Sequence, residues 1–170
     1  MNLLSRLIRS RRDPRETVRP LWHRTVAIAR EPEWYTTCGV ADTLEGRFDM
    51  VTAATALVLL RMEADPELAE LTGPYTEFFV EDMDGQLRQA GVGDLVVGKK
   101  IGKLMGTLGG RIGAYRDGLQ GGREALAAAA RRNVTMADEN LADALAVRIE
   151  QLRDRLANIS ANDLVRGAIA

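Results

Sequence analysis

Thiol and imidazole are almost absent from this chain: Cys38 is its one cysteine and His23 its one histidine. A single cysteine permits no internal disulfide and fits a reducing compartment. With one histidine beside it, the usual four-ligand zinc site cannot be assembled, so a metal is set aside. Long apolar runs are missing too. The uncharged stretch 50–60, in the most apolar segment, is far too short to cross a bilayer core of about 30 Å. No apolar h-region follows the N-terminal arginines, which excludes a secretory signal. A net charge of -1 gives no bulk attraction for DNA or RNA, so any basic partner site has to be local. No strand pattern appears anywhere, which leaves an all-α fold.

What is present suits one globular domain. The chain is 46% hydrophobic and 28% charged, and its 170 residues suffice to bury a core. The expected architecture is a single-domain helical bundle in three parts: a basic N-terminal segment (1–20), a helical core (21–120) and a C-terminal helical extension (121–170) that packs on the core or on a partner. The first segment carries Arg6, Arg9, Arg11, Arg12, Arg15 and Arg19 against only Asp13 and Glu16, with Leu3, Leu4, Leu7 and Ile8 along one side. It reads as a tail, or as a helix lying weakly on an anionic membrane, and as dispensable for folding.

From Leu21 the pattern turns helical, with Trp22, Val26 and Ala29 in register, and it stops before Pro32. Asp42 with Glu45 three residues later predicts a capping-box-like helix start. The apolar segment 47–62 predicts a buried central helix. Asp65-Pro66 opens a short helix to Leu71, and Gly73-Pro74 breaks the chain before the next one. The glycines at 118, 121 and 122 predict a hinge or the end of the compact body. Alanines 125 and 127–130 favour helix by propensity. Leu141, Leu145, Ile149, Leu152, Leu156 and Ile159, spaced by three and four, predict one long amphipathic helix.

The stretch 78–94 organises the rest. Gly91 suits the left-handed position just past a helix end, Val92 can fold back on Leu87, and Asp94 suits the N-cap of the next helix. Two helices therefore meet at a short corner that includes Gly93, and Gly39-Val40-Ala41-Asp42 echoes it earlier in the chain. The second helix, about 95–115, sorts into three faces at 100° per residue. Val97, Ile101, Leu104, Met105, Leu108, Ile112 and Tyr115 form an apolar face. Glycines 98, 102, 106, 109, 110 and 113 lie beside it, and close approach of a neighbouring helix accounts for them better than a deliberately soft helix. Lys99, Lys100, Lys103 and Arg111 form a third, basic face, which reads as an anionic docking patch against the alternative of a merely solvated one.

These residues carry a resemblance. Gly39-Val40-Ala41-Asp42-Thr43-Leu44-Glu45-Gly46-Arg47-Phe48-Asp49 is similar to the GVPDT-x-x-GRF-D signature of the ubiquinol–cytochrome c chaperone family. Leu87-Arg88-Gln89-Ala90-Gly91-Val92-Gly93-Asp94 resembles that family's LRE-x-GVGD signature, and the lysines at 99, 100 and 103, Gly110-Arg111 and Tyr115 also resemble its pattern. The match covers about 21–120 and departs from the pattern at Ala41, Gln89 and Gly109. The resemblance implies assembly work without catalysis or cofactor. Members help newly made cytochrome b mature into ubiquinol–cytochrome c reductase, with the ribosome and a second assembly factor as further candidate partners. It also implies a bacterial-type member working in the cytoplasm at the membrane surface, or on the matrix side if eukaryotic. Gly39, Asp42, Arg47, Gly91, Gly93 and Asp94 are then structural motif positions. Lys99, Lys100, Lys103, Arg111 and Tyr115 are candidate contacts to the client or the membrane.

Two other function classes compete. A nucleophile–base site from His23, Cys38, Asp42 and Glu45 lacks a strained turn, an oxyanion loop and a second histidine, and a buried packing thiol explains Cys38 better. Gly106-Thr107-Leu108-Gly109-Gly110 follows a helix, not a strand, so it is no phosphate loop. A basic-faced module for ribosomal RNA or anionic membrane remains the alternative, with weak, salt-dependent binding expected from so few charges.

Overall fold

The structure, a computed structural model, describes residues 13–89 and 94–170, and within them the side chains of all but residues 87, 94–98, 100 and 101. The Gly91–Gly93 corner, the apolar residues Leu3 to Ile8, and the side chains of Asp94 and Lys100 therefore lie outside the described residues. The rest is all-α, with one isolated antiparallel bridge, Val40 to Met136.

The helices are α1 (Pro14–Ala29), α2 (Glu33–Thr36), α3 (Leu44–Glu63), α4 (Pro66–Ala69), α5 (Thr72–Gln89), α6 (Asp94–Gly121), α7 (Arg123–Asn133), α8 (Ala142–Ala157) and α9 (Ala161–Val165). As expected, α3 is the central helix. Thirteen of its 20 residues are buried on every side, as befits a helix without a solvent face. Helices α1 and α5 pack on it, α6 and α8 cover it elsewhere, α7 folds back between α6 and α8, and α9 returns to α1. Residues from α1 to the penultimate residue, Ile169, share one hydrophobic cluster.

Several local expectations are corrected. Helix α1 begins at Pro14, not Leu21, because Asp13 accepts from the backbone N–H of Arg15 and Pro14 suits the first turn. Val18 is fully buried, so residues 14–20 belong to the folded body and are not a dispensable tail. The N-cap of α3 is Thr43, in extended conformation with its hydroxyl accepting from Gly46 N, whereas Asp42 pairs with Arg47 at 2.6 Å. No capping box forms, since the third helical position holds Gly46 and not Glu45. Gly73 and Pro74 sit within the first turn of α5, where a missing N–H costs nothing. The predicted hinge is helical through Gly121. The break comes at Gly122 (φ +88°), and α7 turns back so closely that a Cβ on Gly118 would lie 3.0 Å from the Cα of Leu126. The long C-terminal helix stops at Ala157. Arg61 donates to the carbonyls of Leu156 (2.9 Å) and Ile159 (3.2 Å), and Ser160 caps α9. A guanidinium there completes the orphan carbonyls and suits the negative end of the helix.

Glycine serves two opposite purposes. An added Cβ on Gly46 would stand 2.0 Å from the carbonyl oxygen of Ala41, so the chain closes tightly there. Glycines 102, 106, 109, 110 and 113 of α6 have nothing within 4 Å of such an atom among the described residues, so the expected close approach of a neighbouring helix is not found there. Two substitutions separate the cases. Gly46→Ala should destabilise by about 2 kcal/mol or more through backbone overlap. Gly106→Ala should stabilise by about 0.5–1 kcal/mol through helix propensity. Denaturant melts of both variants check the pair.

Candidate functional site

The first signature loop is clasped to the link between α7 and α8. Gly39 adopts φ +74°, where a side chain would be strained, and its carbonyl accepts from Ala137 N at 2.8 Å. Ala41 N in turn donates to the Thr135 carbonyl at 2.9 Å. One turn into α3, the 8% exposed Asp49 accepts from Arg111 of α6 at 2.6 Å and from both the backbone N–H (2.8 Å) and the hydroxyl (2.7 Å) of Thr135. The loop, α3, α6 and the α7–α8 link therefore meet at one carboxylate.

Arg111 is thus taken out of the exposed basic face proposed for it. Its side chain is 12% exposed, and its Nε and Nη1 are buried with no hydrogen-bond partner among the described residues. Tyr115 is fully buried as well, so no partner touches it in this conformation. Burial pushes its phenol well above the ordinary value, with Arg111 opposing, and its hydroxyl has no hydrogen-bond partner among the described residues. These two positions hold the helix in place.

What α6 shows to solvent is narrower. Lys99 and Lys103 are exposed, as expected of lysine. Glycines 102, 106, 109 and 110 are exposed beside them, and Met105 is 39% exposed. Leu104 and Ile112 are half-buried, while Leu108 is inside. The basic and glycine faces therefore share one open surface of low relief, and the apolar face only partly reaches the core. Beside it, α3, α5 and α6 enclose a cleft of about 770 Å³. The sequence reading missed Leu44, which is 62% exposed at the start of α3; a leucine just after an N-cap threonine gives no pattern that would flag it.

The competing enzyme constellation does not assemble. His23 is exposed on α1, Cys38 is buried in the core, and Asp42 is held by Arg47. Among the described residues no group of three or more histidines, cysteines and carboxylates could hold a metal ion, and no helix is long and apolar enough to cross a membrane.

The structural account of Asp49 is testable. Asp49→Ala should destabilise by on the order of 3 kcal/mol, because it strands a mostly buried guanidinium. The double variant with Arg111→Met should lose clearly less than the two single losses added together, and thermodynamic cycles from denaturant melts read the difference.

Comparison with known proteins adds two similarities. The family model described as "Ubiquinol-cytochrome C chaperone" matches residues 36–170. The crystal structure of the Cbp3 homolog from Brucella abortus superposes with a TM-score of 0.85 at 34% identity, covering 99% of this chain and 96% of that one. No curated protein matches the chain.

Proposed function

Because the chain belongs to the ubiquinol–cytochrome c chaperone family, we propose that its work in assembly of that complex is to hold newly made cytochrome b, with the open face of α6 as the docking surface. One observation supports this reading: an added Cβ on glycines 102, 106, 109, 110 and 113 would meet nothing within 4 Å among the described residues. Each costs the helix up to about 1 kcal/mol against alanine, and no close contact among the described residues offsets it. Small residues let a second helix approach closely, the mode by which membrane helices pair. A segment of a membrane protein not yet inserted is an occupant of that kind. Lys99 and Lys103 at the same face add attraction for acidic groups on the client or for anionic headgroups beside it.

On this reading the protein is no enzyme and takes no cofactor, and it works peripherally at the membrane that receives the client: the cytoplasmic membrane of a bacterium, or the matrix side in a eukaryote. Replacing Cys38 and His23 together with alanine should leave assembly intact; loss of assembly in a chain that still folds would restore the enzyme reading.

Reversing Lys99, Lys100 and Lys103 to glutamate should leave helicity and melting nearly unchanged and abolish capture of cytochrome b. In-cell crosslinking with mass spectrometry measures the yield. If the triple variant crosslinks at wild-type yield in low salt, the basic face is only a solvated surface. Gly106→Ala with Gly109→Ala should weaken capture while stabilising the chain, which separates docking from folding.

A further inference from the structure

Acid is concentrated in one part of this chain in a way its net charge of -1 conceals. Residues 62–87 carry eight carboxylates and no lysine or arginine. Part of that stretch borders the 770 Å³ cleft between α3, α5 and α6. The cleft is lined by apolar groups from all three helices: Leu59 from α3, Val80 from α5, and Leu108 and Ile112 from α6. Met105, 39% exposed, lines it too, and a flexible thioether adapts to whatever shape is laid against it. Glu63, Glu77 and Glu81 supply the charge.

Two walls of the cleft are kept open by glycine. Gly73 of α5 and Gly109 of α6 are both exposed, and a Cβ on either would meet nothing within 4 Å among the described residues. Thr72 and Thr76 offer no free donor, because their hydroxyls donate to the carbonyls of Ala69 (2.7 Å) and Thr72 (2.8 Å). Arg15 shows which group the acidic side takes. Its guanidinium lies 2.5 Å from Glu81 and 3.9 Å from Glu77, and 4.8 Å from the centre of the Phe78 ring. Glu63 is paired with Arg116 at 2.6 Å. The three carboxylates nonetheless stay 46%, 59% and 58% exposed. Exposed pairs of this kind contribute little, so an incoming cation can share or replace them.

We propose that this cleft docks a helix of another polypeptide, one with an apolar stripe flanked by lysines or arginines a turn apart. A helix laid in a groove is held by anchors at i, i+3 or i+4, and i+7, and the apolar lining suits such a stripe. Glu77 and Glu81 are themselves one turn apart, about 6 Å along α5, so two cations at the same spacing meet both. The sign of the border decides between occupants. Carboxylates repel anionic headgroups and nucleic acid phosphates and attract a basic polypeptide. Long basic side chains also cover apolar surface with their stems while their heads reach a charged rim. The cleft adjoins the open face of α6 through Met105 and Gly109, but the proposal needs neither cytochrome b nor the lysines of α6.

Fluorescence anisotropy with the full chain tests it. The probe is a fluorescein-labelled peptide of about 18 residues, with leucines at i, i+3, i+4 and i+7 spacing and lysines on both flanks. One control scrambles the leucines at the same composition, and another replaces the lysines with glutamate. The striped basic peptide should bind about tenfold tighter or more than either control. Glu77→Lys with Glu81→Lys should weaken it about tenfold. Gly73→Leu, which fills the cleft from the α5 wall at unchanged charge, should weaken it as much in a chain that circular dichroism shows to be folded. Both variants leave the open face of α6 intact, so peptide binding and client capture can fail separately. A benzophenone placed among the leucines should crosslink within residues 72–81 or 105–112. No binding, equal binding of the scrambled peptide, or crosslinks confined to other parts of the chain would overturn the proposal. So would a dimer, seen by sedimentation, that shuts the peptide out, since a second copy is then the occupant.

Discussion

The carboxylate of Asp49 holds together parts of the chain that are far apart in sequence. It accepts from Arg111, 62 residues away, and twice from Thr135, 86 residues away. Both the helix that presents the open face and the link that turns α7 into α8 are therefore fixed to the central helix at one point. A mostly buried charge pair is a poor source of net stability, because desolvation offsets the attraction, but it is intolerant of misplacement. Only one register of α6 against α3 lets Arg111 reach Asp49 while Leu108 and Tyr115 enter the core. The pair thus specifies how α6 is presented more than how firmly the chain folds.

The glycines follow from the same constraint. Where the chain folds onto itself they are close-approach devices, as at Gly46 under the Ala41 carbonyl and Gly118 against α7. At positions 102, 106, 109, 110 and 113 of α6 they meet nothing within 4 Å among the described residues. A helix 28 residues long can carry so much glycine because packing at its far half supplies what propensity withholds. Replacing those glycines with alanine should raise helix propensity, and no close contact among the described residues opposes the change.

Much of the fold was legible in the sequence because its signals are local. The all-α class, the buried helix around residues 47–62 and the amphipathic run through Leu141 to Leu156 follow from apolar spacing alone. The family resemblance, carried by Gly39 to Asp49 and by the lysine helix, agrees with the comparisons. What stayed illegible depends on partners distant along the chain. Arg111 falls on the same helical face as the lysines, and nothing local says that Asp49 will claim it. Tyr115 lies on the apolar stripe, and only the packing of α3, α6 and α7 says how deeply it sinks. The α6 glycines show the converse error: their periodicity is real, but period alone does not distinguish a neighbour in the chain from one outside it.

The two ends of α6 do different work. Among the described residues from Lys99 to Thr107 none is buried, whereas Leu108, Tyr115 and Gly118 are buried and Arg111 is tied down. Burial and the close turn at Gly122 anchor the C-terminal half to the core. Among the described residues of the half that carries the lysines, only Leu104 packs on the core, and it is only partly buried, which places these turns toward the low end of local stability. The docking face proposed on α6 would then be able to shift to suit an apolar segment while the body that presents it stays fixed. Adaptability and specificity then reside in different turns of one helix, and Asp49 sits at the boundary between them.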